Sequence, residues 1–507
     1  MTDTSILFGP PGTGKTSTLL EEVDLAFQRG VPPDRVGFVT FTRRAAEEAV
    51  SRACQKFSLT KKNLPWFCTI HSMCFSKLGL SRSDVLTGKQ MQEFADYAGV
   101  EIKGTVLEDG TVSGHGDGDR ALFVENLARI RMVPLRDAYD SSDSDLSWDE
   151  VERVANLLNE FKHNRALMDF TDMLTQFVDL GSDLSLEHLV VDEAQDLSPL
   201  QWSVAACASR SCSLVTVAGD DDQAIYAWAG ADAGHLVRLQ GQSRVLNQSW
   251  RVPLAVQSVA SAVIADVGER RPKEWRPRQG ASGRVDHAAS FEEVDISQQW
   301  SGEVQPVLIL ARNEYVLDDV VVPDLRHLGV VYERDGKSSV DLQVLESVTA
   351  WEDLRQGKRV PTEVARKIYE HMTGGRGYVP GQKNLPRISS EDVTLEDLRS
   401  SGGLLRNDPW YDALDRLHPD DVTYLRNARS SGESLRHKPR VRVSTIHGSK
   451  GGEAEHVVLM KEMARRSYQS MEQYPDDERR VWYVGATRAR EHLTVVESST
   501  ALSCPWL

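Results

Sequence analysis

Two short stretches of this 507-residue chain have the residue types and spacing of phosphate chemistry. The first, Gly9-Pro10-Pro11-Gly12-Thr13-Gly14-Lys15-Thr16, fits GxxxxGK[ST] at every fixed position. Its glycines let backbone N–H groups wrap phosphate oxygens, Lys15 reaches the outer phosphates, and the Thr16 hydroxyl is placed to ligate Mg2+. The second, Val190-Val191-Asp192-Glu193-Ala194-Gln195-Asp196, ends an apolar run with two adjacent carboxylates. Asp192 is placed to hold Mg2+, directly or through water, which leaves Glu193 as the base that orients an attacking water. Adjacent acids favour hydrolysis over transfer to a second substrate. Alone, the glycine motif says only that a nucleoside triphosphate binds.

The elements that must position these residues follow from pattern. Thr4–Phe8 reads as a strand and the segment from Lys15 as a helix, whose N-terminus favours an anion. Residues 35–42 and 65–70 read as further buried strands separated by a helix, and this alternation predicts a parallel α/β sheet. From about 84 to 167 the pattern turns helical. The loop 107–120 there holds His115, Asp117 and Asp119, but its glycines suit a turn better than a metal site. Strands return at 187–193, 212–220 and 243–249, so the acidic pair falls at a strand's carboxyl end, where open α/β sheets bind ligands. After a Pro/Gly-rich hinge at 275–283, a second α/β set begins with 284–289, 306–312 and 329–333. Residues 335–438 read as polar and irregular, and the sheet resumes at 440–446, 455–460 and 491–497.

Composition sets the bounds. The length predicts about three to four domains. With 40% hydrophobic and 26% charged residues, the chain is neither disordered nor a disulfide scaffold. No apolar run reaches the roughly 18 residues needed to span a bilayer, and the first residues are not a signal peptide, so a cytoplasmic protein is expected. Six scattered cysteines fit reduced thiols. Cys68, His71 and Cys74 have metal-like spacing but lack a fourth ligand. The net charge of −16 argues against a nonspecific nucleic-acid coat, although a basic groove can sit on an acidic body. Part of the excess lies in 137–150, read as a solvated acidic loop.

Further segments complete a pattern. Residues 38–49 (FVTFTRRAAEEA), 69–72 (TIHS), 168–174 (MDFTDML), 192–196 (DEAQD), 218–232 (AGDDDQAIYAWAGAD), 246–251 (LNQSWR), 444–455 (STIHGSKGGEAE) and 483–491 (YVGATRARE) resemble, in order, the signature motifs of the UvrD/Rep/PcrA family of superfamily 1A DNA helicases. The resemblance covers nearly the whole chain apart from two insertions. It implies two RecA-like parallel-sheet P-loop domains, each with an inserted, mainly helical subdomain. Domain 1A would comprise 1–83 and 168–280, with subdomain 1B at 84–167. Domain 2A would comprise 281–334 and 439–507, with a reduced 2B-type insertion at 335–438.

The same resemblance implies roles. Gln223 would sense the γ-phosphate, and Arg251 and Arg488 would be arginine fingers from opposite sides of an interdomain cleft, a device worth about 10³–10⁵ in rate. Trp250 would stack on the adenine of ATP where the family has tyrosine, and Glu453 would contact the ribose. Phe41, Thr42, His71, Tyr226, Trp228 and His447 would line the DNA track, where aromatic stacking contributes about 1–3 kcal/mol per base. Outside that context each aromatic reads first as ordinary core, and each histidine could be a satisfied junction residue. The implied activity is ATP- and Mg2+-dependent 3′–5′ translocation and strand separation on single-stranded and tailed duplex DNA, without a membrane partner.

Departures from the family pattern qualify this expectation. Only eight residues precede Gly9, so the family's adenine-reading glutamine segment is expected to be absent or supplied elsewhere, and base selectivity relaxed. Ala229 stands where arginine is usual, Arg43 and Arg44 replace Asn-Lys, and Gly452 replaces leucine. The 335–438 insertion is short, and no appended nuclease is expected. These departures leave open a nucleotide-switched DNA-binding or loading factor. A small-molecule kinase would give no account of the paired arginines.

Overall fold

The structure, a computed structural model, describes residues 3–106, 112–114, 116–142, 144–296, 299–300, 303–386, 388–432 and 438–507. The chain forms two compact units. One is built from residues 1–284, 469–491 and 506, the other from 285–468, 492–505 and 507.

The first unit holds six parallel strands: β1 (Asp3–Phe8), β2 (Val36–Thr40), β3 (Phe67–Thr69), β4 (His188–Val191), β5 (Leu214–Gly219) and β6 (Gln242–Val245). Their order is β3-β2-β4-β5-β1-β6. Register pairs Ile6 with Val217, Val190 with Thr216, and Phe38 with Val190. Strands β2 and β4 are buried at every position, as a sheet covered on both faces requires. Because β4, β5 and β1 are adjacent and parallel, their carboxyl ends lie side by side. Each is followed by one of the polar motifs.

Helices α1 (Lys15–Gln28), α2 (Arg43–Phe57) and α3 (Ile70–Lys77) each follow one of the first three strands. The segment expected to be helical contains α4 (Gly88–Ala98), α5 (Asp117–Arg131), α6 (Leu135–Asp140) and α7 (Trp148–Arg165), joined to the sheet region by α8 (Phe170–Asp179). Two loop expectations need correction here. Asp117 and Asp119 open α5, and Asp119 accepts backbone N–H bonds from Lys103, Gly104 and Gly116, while His115 lies outside the described residues. The acidic stretch 137–150 is largely helical at both ends, with Ser147 capping α7. Aspartate at a helix start is favoured by the dipole, which the charge pattern alone does not reveal.

A buried ionic cluster ties α5 and α7 to α8. Arg129 pairs with Glu125, Asp169 and Asp172 at 2.7, 2.7 and 2.9 Å, and Lys162 reaches Asp169 and Asp172 at 2.6 and 2.7 Å. Burial disfavours the charged Asp169, but Arg129 and Lys162 hold its carboxyl well below the usual range.

The second unit carries a seven-stranded sheet of β7 (Arg284–Ala288), β8 (Val307–Ala311), β9 (Tyr332–Arg334), β10 (Lys337–Ser338), β11 (Val441–Thr445), β12 (Ala454–Met460) and β13 (Ala489–Val496), in the order β10-β9-β11-β8-β12-β13-β7. Strand β8 pairs in parallel with β11 and β12. The described residues of 335–438 are not irregular. They fold around their own core, in which Trp351 and Tyr369 are fully buried and the Trp351 indole donates to the Asp408 carbonyl at 3.0 Å. Polar residues interspersed along its helices, including the 14-residue Leu342–Arg355 that carries Trp351, hide that core from a reading based on periodic runs.

Replacing Lys162 by methionine leaves Asp169 and Asp172 undercompensated and is expected to cost about 3–5 kcal/mol in urea unfolding. Asp169's contribution is full above an unfolded carboxylate value of about 4 and is lost as pH falls through its lower folded value. The wild type should therefore lose more stability below pH 4 than the variant; equal losses would contradict this assignment.

Candidate functional site

The glycine-rich loop continues β1. The Gly9 N–H donates to the Gly219 carbonyl at 3.0 Å, so the loop starts beside the end of β5. Gly12 and Gly14 adopt left-handed backbone with φ of 70° and 83°. Lys15 folds back over the loop and donates to the Gly9 carbonyl at 2.9 Å. A Cβ on Gly9 would stand 2.1 Å from Lys15 Cγ, so the lysine's position requires glycine there. Residues 249–251 pack on the loop's other side: the Trp250 N–H donates to the Gly12 carbonyl at 2.8 Å, and Ser249 Oγ to the Pro11 carbonyl at 2.8 Å. Trp250 is 64% exposed, leaving a free aromatic surface beside the loop, while Arg251 is half-buried against Gly12.

Across from the loop, the end of β4 presents its acids. Asp192 is buried, and burial, then the neighbouring Glu193, push its carboxyl up to about 7 against the opposing pull of Lys15. Thr16 Oγ1 donates to Asp192 Oδ2 at 3.3 Å. This pair of hard oxygen donors suits Mg2+, which takes few protein ligands and shares its shell with phosphates and water. Glu193 sits at φ 53°, a left-handed conformation that costs a non-glycine residue about 1–2 kcal/mol. That turn aims its carboxylate toward Lys15 Nζ, 4.0 Å away.

A chain of hydrogen bonds runs from Glu193 to the end of β5. Gln195 Nε2 donates to Glu193 at 2.6 Å, while Gln195 Oε1 accepts from the Asp220 N–H at 2.9 Å. Asp220 accepts from Gln223 Nε2 at 2.6 Å, and Gln223 Oε1 accepts from Arg488 at 3.1 Å. Arg488 is anchored by its Nε to the Val484 carbonyl at 3.0 Å. Asp220, Asp221 and Asp222 are all buried; Arg270 and Lys273 meet their carboxylates, and Arg480 bonds the Asp221 carbonyl. Sequence reasoning did not identify Gln195, Arg270, Lys273 or Arg480. The available signal was three consecutive acids after a buried strand, which need cations, and the basic run ERRPKEWR at 269–276 that could supply them.

The residues of the expected strand track are distributed unevenly. Phe41 and Tyr226 contact each other, with ring centroids 5.3 Å apart. Trp228 is 46% exposed, its ring within 16° of parallel to that of Phe123 on α5. The Thr42 hydroxyl caps α2 by accepting from the Ala45 N–H at 3.2 Å. His71 is buried and edge-on to Phe170, and burial, then Arg43, lower its pKa to about 4. Burial also pushes the neighbouring Cys68 thiol up to about 12. Ala229 is buried within the Trp228 turn. His447 and Glu453 belong to the second unit, in and just after the turn that follows β11.

A glycine-rich loop between the first strand and first helix of a parallel sheet, with an acidic pair at the end of a nearby strand, defines a RecA-like P-loop nucleotide-binding domain. The sequence model of the UvrD/REP helicase N-terminal domain matches residues 1–243, and that of the UvrD-like helicase C-terminal domain matches 440–496. The chain belongs to this UvrD/Rep/PcrA-like superfamily 1A family. It is 24% identical over 306 residues to the ATP-dependent DNA helicase PcrA of Leuconostoc citreum, covering 57% of this chain and 41% of that protein. Over 292 residues it is 24% identical to PcrA of Staphylococcus aureus strain Mu50, covering 53% and 39%. PcrA of Staphylococcus epidermidis is 22% identical over 317 residues, covering 57% and 42%. The matched region thus spans about two fifths of these relatives' length.

Gly12→Ala combines left-handed strain of about 1–2 kcal/mol with a Cβ only 2.3 Å from that of Arg251. Its expected outcome is a loss of nucleoside triphosphate affinity of about 10-fold or more in a fluorescent-nucleotide titration. Unchanged affinity would mean that residues 249–251 give way without cost.

Proposed function

We propose that this protein is an ATP-driven translocase and helicase that moves 3′ to 5′ on single-stranded DNA and separates tailed duplexes. The observation that carries this reading is the unbroken series from Lys15 through Glu193, Gln195, Asp220 and Gln223 to Arg488. It joins a hydrolytic carboxylate to a glutamine and an arginine that can respond to the γ-phosphate. In this reading Gly9, Gly12, Gly14 and Lys15 hold the phosphates, and Trp250 stacks on the base. Thr16 and Asp192 hold Mg2+, which supplies charge neutralisation of the phosphates. Glu193 orients the attacking water, and Arg251 and Arg488 offset charge developing on the γ-phosphate. Glu453 contacts the ribose.

The strand track comprises Phe41, Thr42, Tyr226, Trp228 and His447, with half-exposed Trp228 as its principal stacking surface. His71 acts there by supporting Phe170 and α8, since its ring is buried and neutral at physiological pH. Residues 1–83 with 168–280, and 281–334 with 439–507, form the two motor domains, and 84–167 and 335–438 the inserted subdomains. No helix among the described residues is long and apolar enough to cross a membrane.

Strand separation on 3′-tailed, 5′-tailed and blunt duplexes tests this reading. Unwinding of the 3′-tailed duplex alone is expected, with Glu193→Gln lowering hydrolysis by about 10²–10⁴. Hydrolysis stimulated by DNA but no unwinding would instead support a nucleotide-switched loading factor, an alternative favoured by the buried Ala229 in the Trp228 turn.

A further inference from the structure

Asp220, Asp221 and Asp222 follow β5 directly, and all three are out of solvent. Three adjacent buried carboxylates cannot persist unless cations reach them, because removing each ion from water costs several kcal/mol even after relaxation. The segment 269–273 supplies those cations. Lys273, its ammonium fully buried, touches all three at 3.1, 2.5 and 3.0 Å. Arg270 holds both oxygens of Asp222, at 2.8 and 2.6 Å. The Arg271 N–H donates to Asp221 at 2.7 Å, and Arg480 bonds the backbone carbonyls of Asp221 and Glu269 at 3.0 and 2.7 Å, clasping the segment to the acids. Burial would discharge Lys273, but Asp220, Asp222 and Asp221 together raise its pKa above the ordinary lysine value.

Asp220 matters most because it is shared between Lys273 and Gln223. An ionised carboxylate only accepts hydrogen bonds. Gln223 must therefore turn its Nε2 inward to Asp220, which leaves its Oε1 as the acceptor for Arg488. A reversed amide would set its N–H groups against the Arg488 guanidinium, two donors facing each other.

We propose that Lys273 is the positioning residue of Gln223: its ammonium pins the Asp220 carboxylate that accepts from Gln223 Nε2, and so fixes which way the glutamine amide faces and keeps Arg488 docked on it. This rests on the reading of the site as a hydrolytic nucleotide site. Lys273 touches neither the glycine loop nor the acidic pair, so its effect belongs in turnover more than in nucleotide binding.

The test is steady-state ATP hydrolysis by the full chain with saturating oligo(dT), for the wild type, Lys273→Met, Lys273→Arg, Gln223→Ala and the Lys273→Met/Gln223→Ala double variant. Lys273→Met should lower kcat by about 10-fold or more, a size common for groups that orient a catalytic partner, with a smaller change in KM. Lys273→Arg should recover most of the loss. In the Gln223→Ala background Lys273→Met should cost nothing further, since the residue it positions is gone. An unchanged kcat in Lys273→Met, or the same fold-loss with and without Gln223, would overturn the inference. If Lys273→Met does not fold, adding Asp222→Asn removes one carboxylate and leaves Asp220 without its ammonium; the same comparison then applies. A wild type with no hydrolysis sensitive to Glu193→Gln would instead refute the hydrolytic reading itself. Normal wild-type hydrolysis with an unaffected Lys273→Met refutes the positioning role alone.

Discussion

Negative charge removed from water at one edge of a parallel sheet governs how the first unit is built. The carboxyl ends of β4 and β5 carry Asp192, Glu193, Asp220, Asp221 and Asp222, and all but Glu193 are buried. Each carboxylate needs a cation or a set of donors, or it would protonate. Lys15 comes from the adjoining glycine loop, and Gln195 from the same turn as the acids. Lys273 and Arg270 come from a segment far along the chain, and Arg480, from farther still, bonds the Asp221 backbone carbonyl. These cations fix where residues 269–273 and the helix at 475–486 must lie.

That arrangement also explains why the glycine loop has its detailed shape. Gly12 is pressed by the backbone of 249–251, and Gly9 by the stem of Lys15. A larger side chain at Gly12 would displace Arg251 and Ser249, and one at Gly9 the Lys15 stem that reaches toward Glu193. The strained backbone of Glu193 belongs to the same economy of space: in its left-handed turn its carboxylate meets both Lys15 and Gln195. Backbone strain held by surrounding contacts is characteristic of sites where a reactive group must be aimed.

Much of this was legible in the sequence because it is local. Gly9 to Thr16 and Asp192-Glu193 carry their chemistry in consecutive residues, and the apolar strands before them have an unambiguous pattern. Gln223 and Arg488 could be named from motifs, but their direct hydrogen bond joins residues 265 positions apart, which no local pattern encodes. Lys273 was missed for the same reason: one lysine in a basic, proline-containing loop has no signature until the fold brings it to three acids. His71 shows the opposite difficulty. Its motif is readable, yet its burial and lowered pKa depend on packing against Phe170 and on Arg43. Residues 335–438 looked formless because the core around Trp351 and Tyr369 is assembled from several helices whose apolar positions are interspersed with polar residues rather than from one long periodic run.

The most direct test of the account is the rate of ATP hydrolysis by the full chain at saturating nucleotide, measured with and without single-stranded DNA. If the buried network links the hydrolytic carboxylate to a strand-binding surface that includes Trp228, DNA must raise the turnover rate several-fold. A measurable rate that DNA does not change would leave the nucleotide site standing but contradict its coupling to a strand.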